Sequence, residues 1–210
     1  MKLITMILLV LAFATPAFAQ TTVTFEGDSI TANQWYYAEG GYPEVLQGIR
    51  SDIFVVNNAQ GGDTSFDIRE DSYAMGQGAG IYIVLGGVND IIQCDTDTEA
   101  IAKRMFQAAR AGHRRGRTAF LQTATPAPTG PNYFSCPGWH DNYLEEKRLE
   151  LNEWIRVYDD KYLGNNVAVI DTAELYSFCV WNAENGNLNP FNYDTRLALA
   201  EWISAHIEVQ

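Results

Sequence analysis

Five short segments of the chain are dense in apolar and β-branched residues: TVTFE (22–26), IFVVNN (53–58), GIYIVLG (80–86), TAFLQT (118–123) and VAVID (167–171). Each has the length of a strand, and the middle three are near-continuous apolar runs, which predicts strands buried on both faces. Between the segments the apolar spacing changes to helical. From Thr96, apolar residues recur at Ile101, Met105 and Ala108 and lead into the basic HRRGR, at a helix end where cations suit the dipole. After His140, the residues Leu144, Leu151, Ile155, Tyr158 and Tyr162 share one helical face, as do Leu197, Ala200, Ile203 and Ile207 in the last helix. Strands and helices alternating at this length imply parallel pairing through right-handed crossovers. The expected fold is a three-layer α/β/α sandwich around a five-stranded parallel sheet. Internal repeats, linkers and low-complexity segments are absent from the sequence, so the pattern reads as one domain.

The N-terminus stands outside that pattern. Lys2 precedes the apolar run LITMILLVLAFA, which ends at Pro16 and the small-residue stretch AFA before Gln20. This predicts a secretory signal peptide over 1–19, cleaved after Ala19, and a domain over 20–210. Export to the periplasm or beyond follows, and no later segment has the ~18 apolar residues of a membrane span.

The formal net charge of −12 argues against nucleic acid and against anionic membrane as partners, since both select basic surfaces. A monomer is the expected state. Three cysteines, Cys94, Cys136 and Cys179, entering an oxidising compartment imply one disulfide and one free thiol. No cysteine or histidine spacing suggests a metal site, with His113, His140 and His206 widely scattered, and no cofactor is expected.

In parallel sheets, ligands bind beyond the carboxyl ends of the strands. The loops there read GDSIT after the first strand, AQGGDTS after the second and GGVND after the third. Two longer ones follow, ATPAPTGPNYFSCPGWHDN and TAELYSFCVWNAENGNLNP. Ser29 in the first loop has two readings, a nucleophile held at a strand end or a cap satisfying free N–H groups of a following helix.

These residues resemble the SGNH (GDSL-type) hydrolases, a group of esterases, lipases and carbohydrate deacetylases with a flavodoxin-like sheet. The resemblance runs from Thr22 to the last helix. GDSIT is similar to the family's first block, which implies Ser29 as nucleophile. NNAQGGDTS resembles the second, implying Gly62 as an oxyanion-hole glycine, and LGGVNDI the third, implying Asn89 as the oxyanion-hole asparagine. Three donors, the Ser29 and Gly62 N–H groups and the Asn89 amide, would then face the developing oxyanion, where one such donor is worth ~3 kcal/mol of barrier. Gly62 would let its N–H approach substrate with no Cβ in the way. Asp28 and Asp90 are expected to brace these loops by accepting backbone hydrogen bonds. The family's sheet order makes the Cys94 and Cys136 loops neighbours, which implies that these two pair.

The fourth block departs from the family, which carries Asp-x-x-His there, commonly before Pro. Here Asn189 precedes Pro190 where the histidine belongs, and Gly186 stands where the aspartate belongs. An amide offers no basic nitrogen near neutral pH, so Asn189 cannot serve as the base. His140, in the loop after the fourth strand, is the alternative base, or simply a neighbour of the capping residues Asp141 and Asn142. Aromatic residues at Tyr133, Phe134, Trp139, Tyr176, Phe178, Trp181 and Phe191 suit sugar stacking or acyl chains, with core packing as the other reading. The substrate implied is a short-chain or carbohydrate O-acyl ester. A fold that retains the pocket and binds glycan or acyl ligands without turnover stands beside it.

Overall fold

The computed structural model describes residues 19–32, 40–125, 143–161, 167–175 and 193–208. Five strands, β1 (Thr21–Gly27), β2 (Ile53–Asn57), β3 (Ile81–Leu85), β4 (Thr118–Gln122) and β5 (Val167–Ile170), form one sheet in the order β2-β1-β3-β4-β5. All four pairings are parallel. In chain order the described helices are α1 (Ser29–Ala32), α2 (Tyr42–Ile49), α3 (Ser65–Ala74), α4 (Val88–Ile92), α5 (Thr98–Arg114), α6 (Tyr143–Lys161), α7 (Thr172–Leu175) and α8 (Tyr193–His206). No described helix is long and apolar enough to cross a membrane.

The period-two alternation of the strands divides the core into two layers. Tyr82 and Val84 of β3 point into one, with Ile68 of α3, Ile91 of α4, Met105 of α5 and Leu151 of α6. Ile81 and Ile83 point into the other, with Val23 and Phe25 of β1, Leu46 of α2 and Leu199 and Ile203 of α8. The helical stripes read from the sequence are the faces that pack: Ile101, Met105, Ala108, Leu144, Leu151, Ile155, Tyr158, Ala200, Ile203 and Ile207 are buried and Leu197 is partly buried, while Tyr162 lies outside the described residues.

One strand departs from expectation. β2 is not buried on both faces, because it forms an edge of the sheet with β1 as its one strand neighbour. Ile53 is buried in the α2 layer, whereas Phe54 on the opposite face is 49% exposed. β3, with strands on both sides and helices on both faces, is buried along its whole length.

Gly112 sets how closely α5 lies on the sheet. A Cβ there would fall on the Tyr82 ring, and Tyr82 is pinned by a 2.6 Å hydrogen bond between its hydroxyl and Ser72 Oγ. Gly112→Ala should therefore lower unfolding free energy by about 1–3 kcal/mol through overpacking, outweighing the helix-propensity gain of ~1 kcal/mol. Urea unfolding of both proteins checks this, and an unchanged or raised midpoint would show that α5 has room to move.

Candidate active site

The strand register brings three loops to one edge of the sheet. Phe25 lies opposite Asn57, and Gly27 lies opposite Leu85. The backbone pairing continues past β2, with Asn58 N–H donating to Phe25 O and Gln60 N–H to Gly27 O, both at 2.9 Å. Ser29, Gly62 and Asn89 all follow within a few residues, at the carboxyl ends of β1, β2 and β3.

At the first loop the chain turns from strand into helix within one residue. Asp28 Oδ1 accepts the Ile30 N–H at 2.9 Å, and the Asp28 carbonyl accepts those of Thr31 and Ala32. Asp28 is thus the cap of α1, so the capping reading of Ser29 gives way to its neighbour. Ser29 is half-buried as the first residue of α1. No described residue hydrogen-bonds its hydroxyl.

At the second loop Gly62 has φ 94°, a backbone conformation that favours glycine. A Cβ there would meet nothing within 4 Å, so among the described residues it is the left-handed φ, and not crowding, that calls for glycine. The third loop reaches across to the second: Asn89 Nδ2 donates to the Asp63 carbonyl at 2.9 Å. Asn89 is half-buried at the start of α4.

Asp90 locks the same two loops from beneath. It accepts the Ser65 N–H at 2.7 Å and the Ser65 hydroxyl at 2.6 Å. Arg104 of α5 bonds Ser65 Oγ at 2.6 Å and reaches Asp90 Oδ1 at 3.3 Å. Asp28 and Asp90 therefore both accept backbone N–H groups. Ser65 and Arg104, which complete this network, were not singled out in the sequence: Ser65 closes the AQGGDTS loop as one polar residue among several, and Arg104 lies on a helix outside the loops.

His113 and His206 stand apart from these loops. His113 is half-buried in a recess with Gly116, Arg117, Thr118 and Val167, at the amino ends of β4 and β5. His206 is exposed at the end of α8, with Nδ1 2.7 Å from the Trp202 carbonyl. The remaining expectations, His140, Asn189, Gly186, Cys136, Cys179 and the loop aromatics Tyr133, Phe134, Trp139, Tyr176, Phe178, Trp181 and Phe191, lie outside the described residues.

The sequence profile of the GDSL-like lipase/acylhydrolase family matches residues 25–197, most of the chain. The chain belongs to that family. Membership makes it an ester hydrolase by class, and the sheet order and loop positions fit the family's fold. Among solved structures, a lipolytic G-D-S-L family protein from Veillonella parvula DSM 2008 is similar at TM-score 0.66 and 18% identity, covering 88% of this chain and 96% of its own. The acetyl xylan esterase AlAXEase is similar at TM-score 0.63 and 20% identity, covering 89% and 100%. Est24, a carbohydrate acetylesterase from Sinorhizobium meliloti, is similar at TM-score 0.63 and 14% identity, covering 90% and 100%. Among curated proteins, none matches the chain.

Next to the family's serine position, electrostatics disfavour charge. Burial pushes the Asp28 carboxyl from its ordinary 3.8 up to about 7, against the lowering effect of the Ile30 N–H. Its second oxygen has no hydrogen-bond partner. A carboxyl whose folded pKa is raised holds its proton longer in the folded state than in the unfolded one. Its contribution to stability is therefore present at low pH and is lost as pH rises from about 4 towards 7. Asp28→Asn should flatten the fall in Tm over that window, measured by thermal unfolding in a pH series. A slope identical to wild type would show that Asp28 does not titrate there.

Proposed function

We propose that this ester hydrolase is exported and cleaves short-chain or carbohydrate O-acyl esters through an acyl-Ser29 intermediate. The observation that carries the reading is the gathering of the Ser29, Gly62 and Asn89 loops at one sheet edge, with Asp28 rather than Ser29 capping α1. Ser29 Oγ attacks the ester carbonyl, and the Ser29 and Gly62 N–H groups with the Asn89 amide hold the oxyanion. The carbohydrate preference draws on the neighbours described as an acetyl xylan esterase and a carbohydrate acetylesterase. Export draws on the leader pattern of residues 1–19.

Turnover in this reading is weakened, because Asn189 stands in the base position and cannot take the serine proton. A serine with an oxyanion hole and no base retains a residual acceleration of ~10³–10⁴ over water. Hydrolysis of p-nitrophenyl acetate by wild type should exceed that of Ser29→Ala, and Asn89→Ala should lower kcat by about 10²–10³. Asn189→His should raise kcat and introduce a sigmoidal dependence near pH ~6.5, more so when combined with Gly186→Asp. Activity that is strong in wild type and abolished by His140→Ala would instead assign the base to His140. Equal rates in wild type and Ser29→Ala, together with tight binding of an acetylated sugar, would favour the second reading, a ligand-binding protein without turnover, which rests on Asn189 alone.

The proposal includes a Cys94–Cys136 bridge. Cys94 is bonded as a disulfide cysteine, in the turn that follows α4. Closing a loop of about forty residues in this way contributes ~3–4 kcal/mol in the chain-entropy estimate. Non-reducing peptide mapping should recover a Cys94–Cys136 peptide, and a Cys94–Cys179 peptide would reject the pairing.

A further inference from the structure

Behind the proposed site lies a group of acids that no motif joins. Glu26, Asp63 and Asp71 each bring one carboxylate oxygen within 4.8 Å of the other two. They come from the end of β1, the loop after β2 and the second turn of α3, three segments that only the fold places together. Glu26 alternates with Phe25, so it faces α3 rather than the α2–α8 layer. It is 3% exposed, and its Oε1 has no hydrogen-bond partner. Asp63 Oδ2 is likewise buried and unpartnered.

No described cationic side chain answers this charge. Arg104 is engaged by Asp90 and Asp95, and Arg69 by Glu70. The polar neighbour of Asp71 Oδ2 is Gln60 Nε2, at 3.5 Å. Desolvation, then repulsion from Asp71 and Asp63, pushes the Glu26 carboxyl up to about 8. The Gly27 N–H offsets this only in part, and ionising a buried carboxyl with no counter-charge costs several kcal/mol.

We propose that Glu26, Asp63 and Asp71 form a site for a hard divalent cation, calcium. Oxygen donors alone suit such an ion and leave softer metals without their preferred nitrogen or sulfur. Oxygens that share a calcium at 2.3–2.6 Å lie up to ~5 Å apart across the ion, so three within 4.8 Å of one another can share one, and three protein carboxylates exceed the one or two that magnesium usually takes. Three carboxylates fill part of a shell of 6–8 oxygens, the rest coming from water or backbone.

The position gives the ion a structural consequence. Asp63 follows Gly62, and its carbonyl accepts the Asn89 amide. A cation on the Asp63 carboxylate therefore fixes the loop that carries the proposed Gly62 N–H donor and that accepts the Asn89 amide. That consequence rests on the active-site reading, whereas the binding itself does not.

The test uses the full chain stripped with EDTA and titrated with Ca²⁺, with Mg²⁺ in a parallel arm, read by calorimetry and thermal unfolding. One Ca²⁺ should bind per chain and raise Tm by about 5 °C at saturation, with Mg²⁺ at least tenfold weaker. Glu26→Gln should abolish the Ca²⁺ response and, at a pH above 8 where the stripped wild type carries the ionised carboxylate, raise the Tm of the stripped protein by removing the unpaired charge. Asp71→Asn, on the solvent side of α3, should weaken Ca²⁺ at least tenfold in a protein that folds normally. Neither heat nor Tm shift with Ca²⁺, or a shift that survives both substitutions, overturns the site, and equal Mg²⁺ affinity overturns the assignment to calcium. These readouts involve no ester, so loss of hydrolysis in Ser29→Ala leaves them untouched.

Discussion

β1 is hydrogen-bonded along both edges, to β2 on one side and β3 on the other, and the register of those ladders determines where three loops end. Gly27 is the point of closest approach. A Cβ at Gly27 would run into the Leu85 carbonyl, so glycine lets the strand keep its pairing up to the residue before the turn. Asp28 then spends its carboxylate and carbonyl on the first N–H groups of α1. The Ser29 hydroxyl is left with no described partner because its neighbour has already satisfied the helix start.

The second and third loops depend on each other as much as on the sheet. Asn89 holds the Asp63 carbonyl and Asp90 holds Ser65, so the loops after β2 and β3 are cross-linked by two side chains adjacent in sequence. Arg104 closes the arrangement from α5. Such a lattice fits the proposed oxyanion role, since preorganised donors avoid reorganisation when charge develops in a transition state.

Much of this was legible before any coordinates. Short apolar runs rich in β-branched residues located all five strands to within a residue or two, because burial in a sheet leaves a strong local imprint. GDSIT, GGDTS and GGVND were legible for the same reason, each following its strand closely. What escaped depends on sheet order or on distant partners. IFVVN reads as a central strand, yet its position at the edge leaves Phe54 exposed. Asp28 and Ser29 are adjacent candidates for one cap, and only backbone direction chooses between them. Glu26 reads as one polar residue in a strand, and its meeting with Asp63 and Asp71 follows from packing α3 on β1.

The proposed chemistry turns on Ser29 as the nucleophile of this acylhydrolase-family chain. A fluorophosphonate ester is the sharpest probe, because so strong an electrophile accumulates a stable bond even on a serine whose base position holds Asn189, and peptide mapping can place that bond. One adduct per chain is expected, on the peptide containing Ser29, with none in Ser29→Ala and slower labelling in Asn89→Ala. A chain that remains unlabelled, or that carries the phosphonyl group on another residue in wild type, would contradict it.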